Sequence, residues 1–215
     1  MATEAGLRER KKQQTRQLLT DTARRLFAER GFENVSVSEI ARVADVSEAT
    51  VFNYFPTKED LVYSGLERFE NALLAAVRER PAGETVIDAF GRFVLEPRGF
   101  FAAPDDRTAR ELLGVGRMIA ASPALRAREE QIFARYTRVL ARLIADEARA
   151  PDGDVRPYVV ANALIGVHRA LIDYVREQLN TEPLDRERLQ RGLRRRGQAA
   201  LELVRHGIGD YAPKH

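Results

Sequence analysis

Apolar residues recur along this chain at intervals of three and four, the spacing of one face of an α-helix, and nowhere alternate over a useful strand length. Leu19, Ala23, Leu26 and Phe27 mark a first helix over 14–30. Gly31, able to take positive φ, ends it as a C-terminal cap, with Phe32 folded back over the end. Val37, Ile40, Ala41 and Ala44 then form a short stripe that opens at Ser36, and Ser36 with Glu39 has the form of a capping box. The pattern breaks at Asp45-Val46-Ser47 and resumes with Ser47 as a cap and Val51 and Phe55 on one side. Pro56 stops that helix, because it disfavours helical backbone in the residue before it. Thr57 with Asp60 is a second capping box. It opens a single long helix over 57–80 that carries Val62, Leu66, Phe69, Leu73 and Val77 and ends at Pro81 and Gly83.

Further helical stretches are expected over 85–96, 108–121 and, after the Ser122-Pro123 start, to about 149, since proline suits the first helical position. Pro151 to Asp154 is a turn. The stretch 155–179 is apolar around most of its circumference and should therefore be buried on nearly all sides, as a central core helix or as part of an interface. A last helix over 185–206 carries Leu189, Leu193, Ala200 and Val204 on one face. The fold class is all-α.

Two short helices across a three-residue turn have the form of a helix-turn-helix. With Val51 and Phe55 packed on Ala41 and Val46, the residues Glu48, Ala49, Thr50, Phe52, Asn53 and Tyr54 fall on other faces. A hydroxyl followed by an aromatic-amide-aromatic run suits hydrogen bonds and apolar contacts with base edges and phosphates in a major groove. An ordinary three-helix core, with Phe52 and Tyr54 turned inward, fits the same spacing.

The segment VSEATVFNYFPTKEDLV, 46–62, resembles the recognition helix and its sequel in the tetracycline-repressor (TetR) family of bacterial transcription regulators. Residues 15–46, TRQLLTDTARRLFAERGFENVSVSEIARVADV, resemble the first two helices of the same family. Asp45 stands where the family usually has glycine, and Asp tolerates the left-handed region. Phe52 stands where a tyrosine is common, and so lacks a hydroxyl. The resemblance implies an N-terminal arm and helix-turn-helix domain over 1–56, a connecting long helix over 57–80, and a helical ligand-binding and dimerisation domain over 81–215. It implies a homodimer through the last two long helices and contacts to double-stranded DNA from Ser36, Ser38, Ser47, Thr50, Phe52, Asn53, Tyr54 and Lys58. It also implies an effector pocket, for which Phe90, Phe93, Phe101, Met118, Tyr136 and Tyr174 are candidate walls and Arg117, His168 and Arg169 candidate polar anchors. The stretch ELLGVGRMIAASPALRAREEQIFARY, 111–136, resembles family members that accept acyl-CoA-like ligands, which points to a small apolar or acyl effector.

Charge changes this picture in one place. The net charge is only +3, and residues 1–60 carry ten basic against ten acidic side chains, so placement has to supply what net charge does not. Residues 1–16 hold Arg8, Arg10, Lys11, Lys12 and Arg16 against Glu4 and Glu9, and are expected as a flexible arm that follows phosphates, enters a minor groove, or serves only as a solubilising tail. The arginine run from Arg186 to Arg196 is a solvated or salt-bridged face rather than a second nucleic-acid site. Cysteine is absent, His168, His206 and His215 have no metal-ligand spacing, and Gly114-Val-Gly116 lies within a helical pattern, so no enzyme or cofactor is expected. No apolar run is long enough to span a membrane and the first residues lack the hydrophobic core of a secretory signal, so a cytoplasmic location is expected. The alternative function, a helical protein-binding scaffold without DNA binding, would need an internal repeat, and none recurs.

Overall fold

The computed structural model describes residues 4–103, 105–178 and 185–207. Ten helices follow in order among them: α1 (Glu4–Arg30), α2 (Val37–Val43), α3 (Glu48–Tyr54), α4 (Lys58–Val62), α5 (Leu66–Arg78), α6 (Val86–Leu95), α7 (Asp106–Ala121), α8 (Pro123–Ala148), α9 (Arg156–Gln178) and α10 (Arg186–His206). A 3-10 turn over Gly99–Ala102 separates α6 from α7.

Three local expectations need correction. The flexible arm is helix from Glu4 onward, because 7–14 consists of Leu, Arg, Glu, Lys and Gln, all good helix formers. The single helix expected over 57–80 is two helices, with the chain turning at Tyr63-Ser64-Gly65. The apolar spacing runs straight across this break and hides it. Tyr63 is buried and its hydroxyl donates to the Leu125 carbonyl at 2.9 Å, while Ser64 and Gly65 are weak helix formers that yield to that anchor. Finally, Ser36 caps α2 alone, accepting from the Glu39 amide at 3.1 Å. The Glu39 carboxylate turns instead to Arg30, which donates to both of its oxygens. The second box is complete: Thr57 and Asp60 bond each other's amides.

The chain divides into two compact units, one of residues 1–67 with 114–128 and one of 68–113 with 129–215. The boundary at Glu67 falls within the segment expected to connect two domains, and the first unit draws in a later stretch. Its core is Leu19, Leu26, Phe27, Phe32, Val35, Ile40, Val51, Phe55 and Leu61. Phe27 and Phe32 meet at 5.2 Å between ring centroids. Fully burying each such side chain contributes about 1.5–3 kcal/mol, enough to hold so short a set of helices together. The stretch 114–128 is tied in by polar contacts: Ser122 Oγ donates to Glu33 at 2.6 Å, and Arg128 Nε donates to Asp60 at 2.8 Å. The same Ser122 oxygen accepts from the Leu125 amide at 3.3 Å and so starts α8, as the Ser-Pro pair implies.

In the second unit α10 packs on α9 and α6 at close range. Gly192 and Gly197 make that possible: a Cβ at Gly197 would lie 2.3 Å from Leu95 Cδ2 and 3.2 Å from Leu171 Cδ1, and one at Gly192 would lie 2.3 Å from the Tyr174 hydroxyl. A full side chain has no room there. Gly197→Leu is expected to destabilise this unit by about 1–3 kcal/mol through overpacking, read as a lower urea midpoint at unchanged slope. Two buried carboxylates are paired, Glu129 with both terminal nitrogens of Arg176 at 2.6 and 2.8 Å, and Glu70 with Arg135 at 2.5 Å.

Helix α9 departs from the burial its composition suggests. Pro157, Ala161, Leu164, Ile165, Val167 and Leu171 are enclosed, whereas Tyr158, Val159 and Val160, with Val155 just ahead of the helix, are exposed at 48%, 59%, 40% and 70%. One chain covers only one side of this helix at its start.

Candidate nucleic-acid interface

The turn between α2 and α3 is made by backbone geometry that sequence alone suggested. Asp45 sits at φ 54, and the Val46 amide reaches back to the Ala41 carbonyl at 3.0 Å, closing the chain tightly after α2. Ser47 Oγ then accepts from the Thr50 amide at 3.1 Å and lies 2.9 Å from the Thr50 hydroxyl. Val51 and Phe55 point into the core, both 1% exposed, which fixes the rotation of α3 about its axis. Phe55 is extended at φ −138, ψ 99, as the proline after it requires.

With the inward side fixed, the rest of α3 faces out. Phe52 is 47% exposed, Asn53 is exposed, and Thr50 and Tyr54 are half-buried, so the inward packing of Phe52 that spacing allowed does not occur. Ser36, Ser38 and Ser47 are exposed at the helix starts, and the hydroxyls of Ser36 and Ser38 lie 2.8 Å apart. Lys58 is less open than its charge suggests. Its ammonium lies 4.1 Å from the Phe32 ring centroid, and burial lowers its pKa against the opposing pull of Glu33 and Glu59.

Arg16, expected in the arm, instead supports the end of α3. Its guanidinium donates to the Tyr54 carbonyl at 3.2 Å and lies 4.6 Å from the Phe55 ring, satisfying the C-terminal end of α3 with a cation. Its position three residues before buried Leu19 was the available signal. Beside it, Arg8, Glu9, Lys11, Lys12, Thr15 and Tyr54 line a cleft of about 400 Å³.

Four of the residues named for an effector site share one group. Phe93, Tyr136, His168 and Arg169 belong to one aromatic group of the second unit. Phe69 stacks on His168 at 5.0 Å and meets Phe93 at 5.2 Å, Phe133 meets His168 at 5.9 Å and Tyr136 at 6.2 Å, and Arg169 lies 5.5 Å from the Phe133 ring. Burial lowers the His168 pKa to about 4, and its Nδ1 has no hydrogen-bond partner among the described residues. Phe101 and Tyr174 pack elsewhere, against Leu113 and Leu189. Phe90 is fully enclosed, while Arg117, exposed, and Met118 lie in the stretch that belongs to the first unit. Among the described residues no group of His, Asp and Glu could hold a metal ion, and no helix is long and apolar enough to cross a membrane.

Residues 19–63 match the pattern described as "Bacterial regulatory proteins, tetR family", and residues 84–196 match the "MftR C-terminal domain". The transcriptional regulator TcmR of Streptomyces glaucescens is 31% identical over 194 residues, covering 83% of this chain and 81% of that protein. The chain belongs to the TetR family. It is a DNA-binding transcriptional regulator with the family's architecture, an N-terminal helix-turn-helix followed by a larger helical part. The nucleoid occlusion factor SlmA of Haemophilus influenzae (strain PittGG) is 28% identical over 158 residues, 72% of this chain and 71% of that one. Among solved structures, a SmeT–triclosan complex superimposes with a TM-score of 0.53 at 17% identity, covering 94% of this chain and 96% of that chain, a likeness of fold alone.

Proposed function

We propose that this regulator is a cytoplasmic, ligand-released repressor that acts as a homodimer on a palindromic operator. What carries the reading is α3 itself: a short helix whose rotation is pinned by Val51 and Phe55, leaving Thr50, Phe52, Asn53 and Tyr54 on its open side. Asn53 is the amide suited to a bidentate bond with adenine, Phe52 and Tyr54 offer apolar contact, and Thr50 a hydroxyl. Ser36, Ser38, Ser47 and Lys58 sit at helix starts, where hydroxyls, amides and an ammonium suit phosphate oxygens.

The homodimer reading rests on the uncovered start of α9, where Val155, Tyr158, Val159 and Val160 need a partner surface that a second copy of α9 and α10 would supply. Two copies present two α3 helices to half-sites about 34 Å apart or a multiple of that. For the effector, the aromatic group around His168 offers apolar walls with one unpartnered ring nitrogen, a chemistry that suits an apolar or acyl molecule bearing a single hydrogen-bonding group. The chain passes between its two units inside α5, α7 and α8, so each passage is helical rather than a loose tether. A preference of about 1–3 kcal/mol for the non-binding shape would weaken DNA binding five- to 150-fold.

The test is a gel-shift titration on DNA next to the protein's own gene at several salt concentrations, with two protomers per palindrome expected. Asn53→Ala should cost about 1–3 kcal/mol on the operator and relax preference at one base pair. Lys58→Ala should weaken all sequences alike and reduce the salt slope by about one. If Lys58 only steadies Phe32, the slope will stay and thermal stability alone will fall. Absence of binding at low salt would favour a protein-binding scaffold instead.

A further inference from the structure

The first turns of α1 carry a group of charges that the helix-turn-helix does not use. From Leu7 to Gln14 every residue is exposed, so this part of the helix projects beyond the core that holds Leu19, Ala23, Leu26 and Phe27. Arg8, Lys11, Lys12 and Thr15 are spaced three, four and seven apart and therefore share one face. That face is not random in direction. With Glu9 beside it, it forms the cleft of about 400 Å³ that Tyr54, the last residue of α3, completes. Arg16, one residue further on, is bonded to the Tyr54 carbonyl and lies on Phe55, so the projecting turns keep a fixed register to α3.

We propose that this extension of α1 is a second DNA contact, a rigid basic strut that lies along backbone phosphates flanking the bases reached by α3. The proposal rests on the regulator reading above and adds to it a site and a mode of binding. From Arg8 to Lys12 the helix rises roughly 6 Å, so the three cations sit within one turn of one another and their long side chains spread from there to neighbouring phosphates. The helical form also decides between the grooves. An α-helix with side chains is about 10–12 Å across and the minor groove only about 6 Å wide, so the extension follows phosphates at the groove edge rather than entering it as an extended arm does. Glu9 lies in the same cleft and opposes the phosphates by like charge.

The experiment uses the full-length protein, a duplex from the region upstream of its own gene, and a scrambled duplex of equal composition, each titrated over a range of salt. Each phosphate contact contributes about 0.9 to the slope of log affinity against log salt. Arg8→Ala, Lys11→Ala and Lys12→Ala combined should make the slope shallower by about 2.7 for each bound protomer and weaken both duplexes alike. Alanine keeps the helix and none of the three is buried, so folding is preserved. Glu9→Gln should act in the opposite sense and tighten both duplexes. An unchanged slope in the triple variant overturns the proposal, as does a loss confined to the upstream duplex, the signature of sequence readout rather than phosphate contact. If the triple variant leaves the slope intact while Asn53→Ala still shifts sequence preference, the strut fails and the regulator reading stands. If the unaltered protein binds neither duplex, both fail together.

Discussion

Phe27→Ala is expected to unfold the DNA-binding unit selectively and to abolish operator binding with it. Phe27 is 3% exposed, packs on Phe32, and lies beneath the Lys58 ammonium at 6.0 Å. Its removal takes away the transfer energy of the ring and leaves a cavity that short helices held by a few side chains cannot refill, a loss of about 3–5 kcal/mol. Every 1.4 kcal/mol is tenfold, so amide exchange in α2 and α3 should accelerate about a hundred- to a few thousand-fold, with the amides of α9 and α10 much less affected. Phe52→Ala is the control. It removes the same ring from an exposed position, so stability should change by no more than about 0.5 kcal/mol while DNA affinity falls. Equal acceleration in both units after Phe27→Ala would show that they open as one. No acceleration would reject the packing described for this core.

The second large effect is a dependence on pH. Burial holds the His168 imidazole neutral, with its pKa lowered to about 4, whereas in the unfolded chain it titrates near its ordinary value of 6.5. Above pH 6.5 both states carry the neutral ring and stability is complete. As pH falls from 6.5 toward 4 the unfolded chain takes up a proton that the folded chain refuses, so stability declines. Below about 4 the loss levels off, at about 3 kcal/mol. Carboxylates in general titrate over part of the same range, so the contribution of His168 is read as a difference between proteins. His168→Phe keeps a ring between Phe69 and Phe133 and cannot be protonated. Its urea midpoint should fall less steeply between pH 6.5 and 4 than that of the unaltered protein. Matching slopes would mean that the buried ring does not titrate as its surroundings require.

The two effects differ in how far the sequence foretold them. Phe27 stands on a regular stripe with Leu19, Ala23 and Leu26, and its burial follows from spacing. His168 stands on a helix apolar on nearly every side, where spacing does not say which residue faces which neighbour. The effector candidates show the same limit. Spacing offers aromatic and polar residues along several helices, and the fold gathers Phe93, Tyr136, His168 and Arg169 in one group and Phe101 and Tyr174 in another.

What the sequence determined by itself was local: helical periodicity, Ser47 and Thr57 as caps, the turn at Asp45, the stop before Pro56 and the outward set on α3. Each of these depends on neighbours within about one turn, whose steric and hydrogen-bonding demands are written in consecutive residues. Tertiary structure decided what depends on a distant partner. Tyr63 finds the Leu125 carbonyl and breaks an otherwise continuous stripe, Glu39 leaves its own helix start for Arg30, and Arg16 leaves the arm to close α3 at Tyr54. In each case a single polar group gains a hydrogen bond across the fold that no local arrangement offers, and the backbone or the side chain moves to make it.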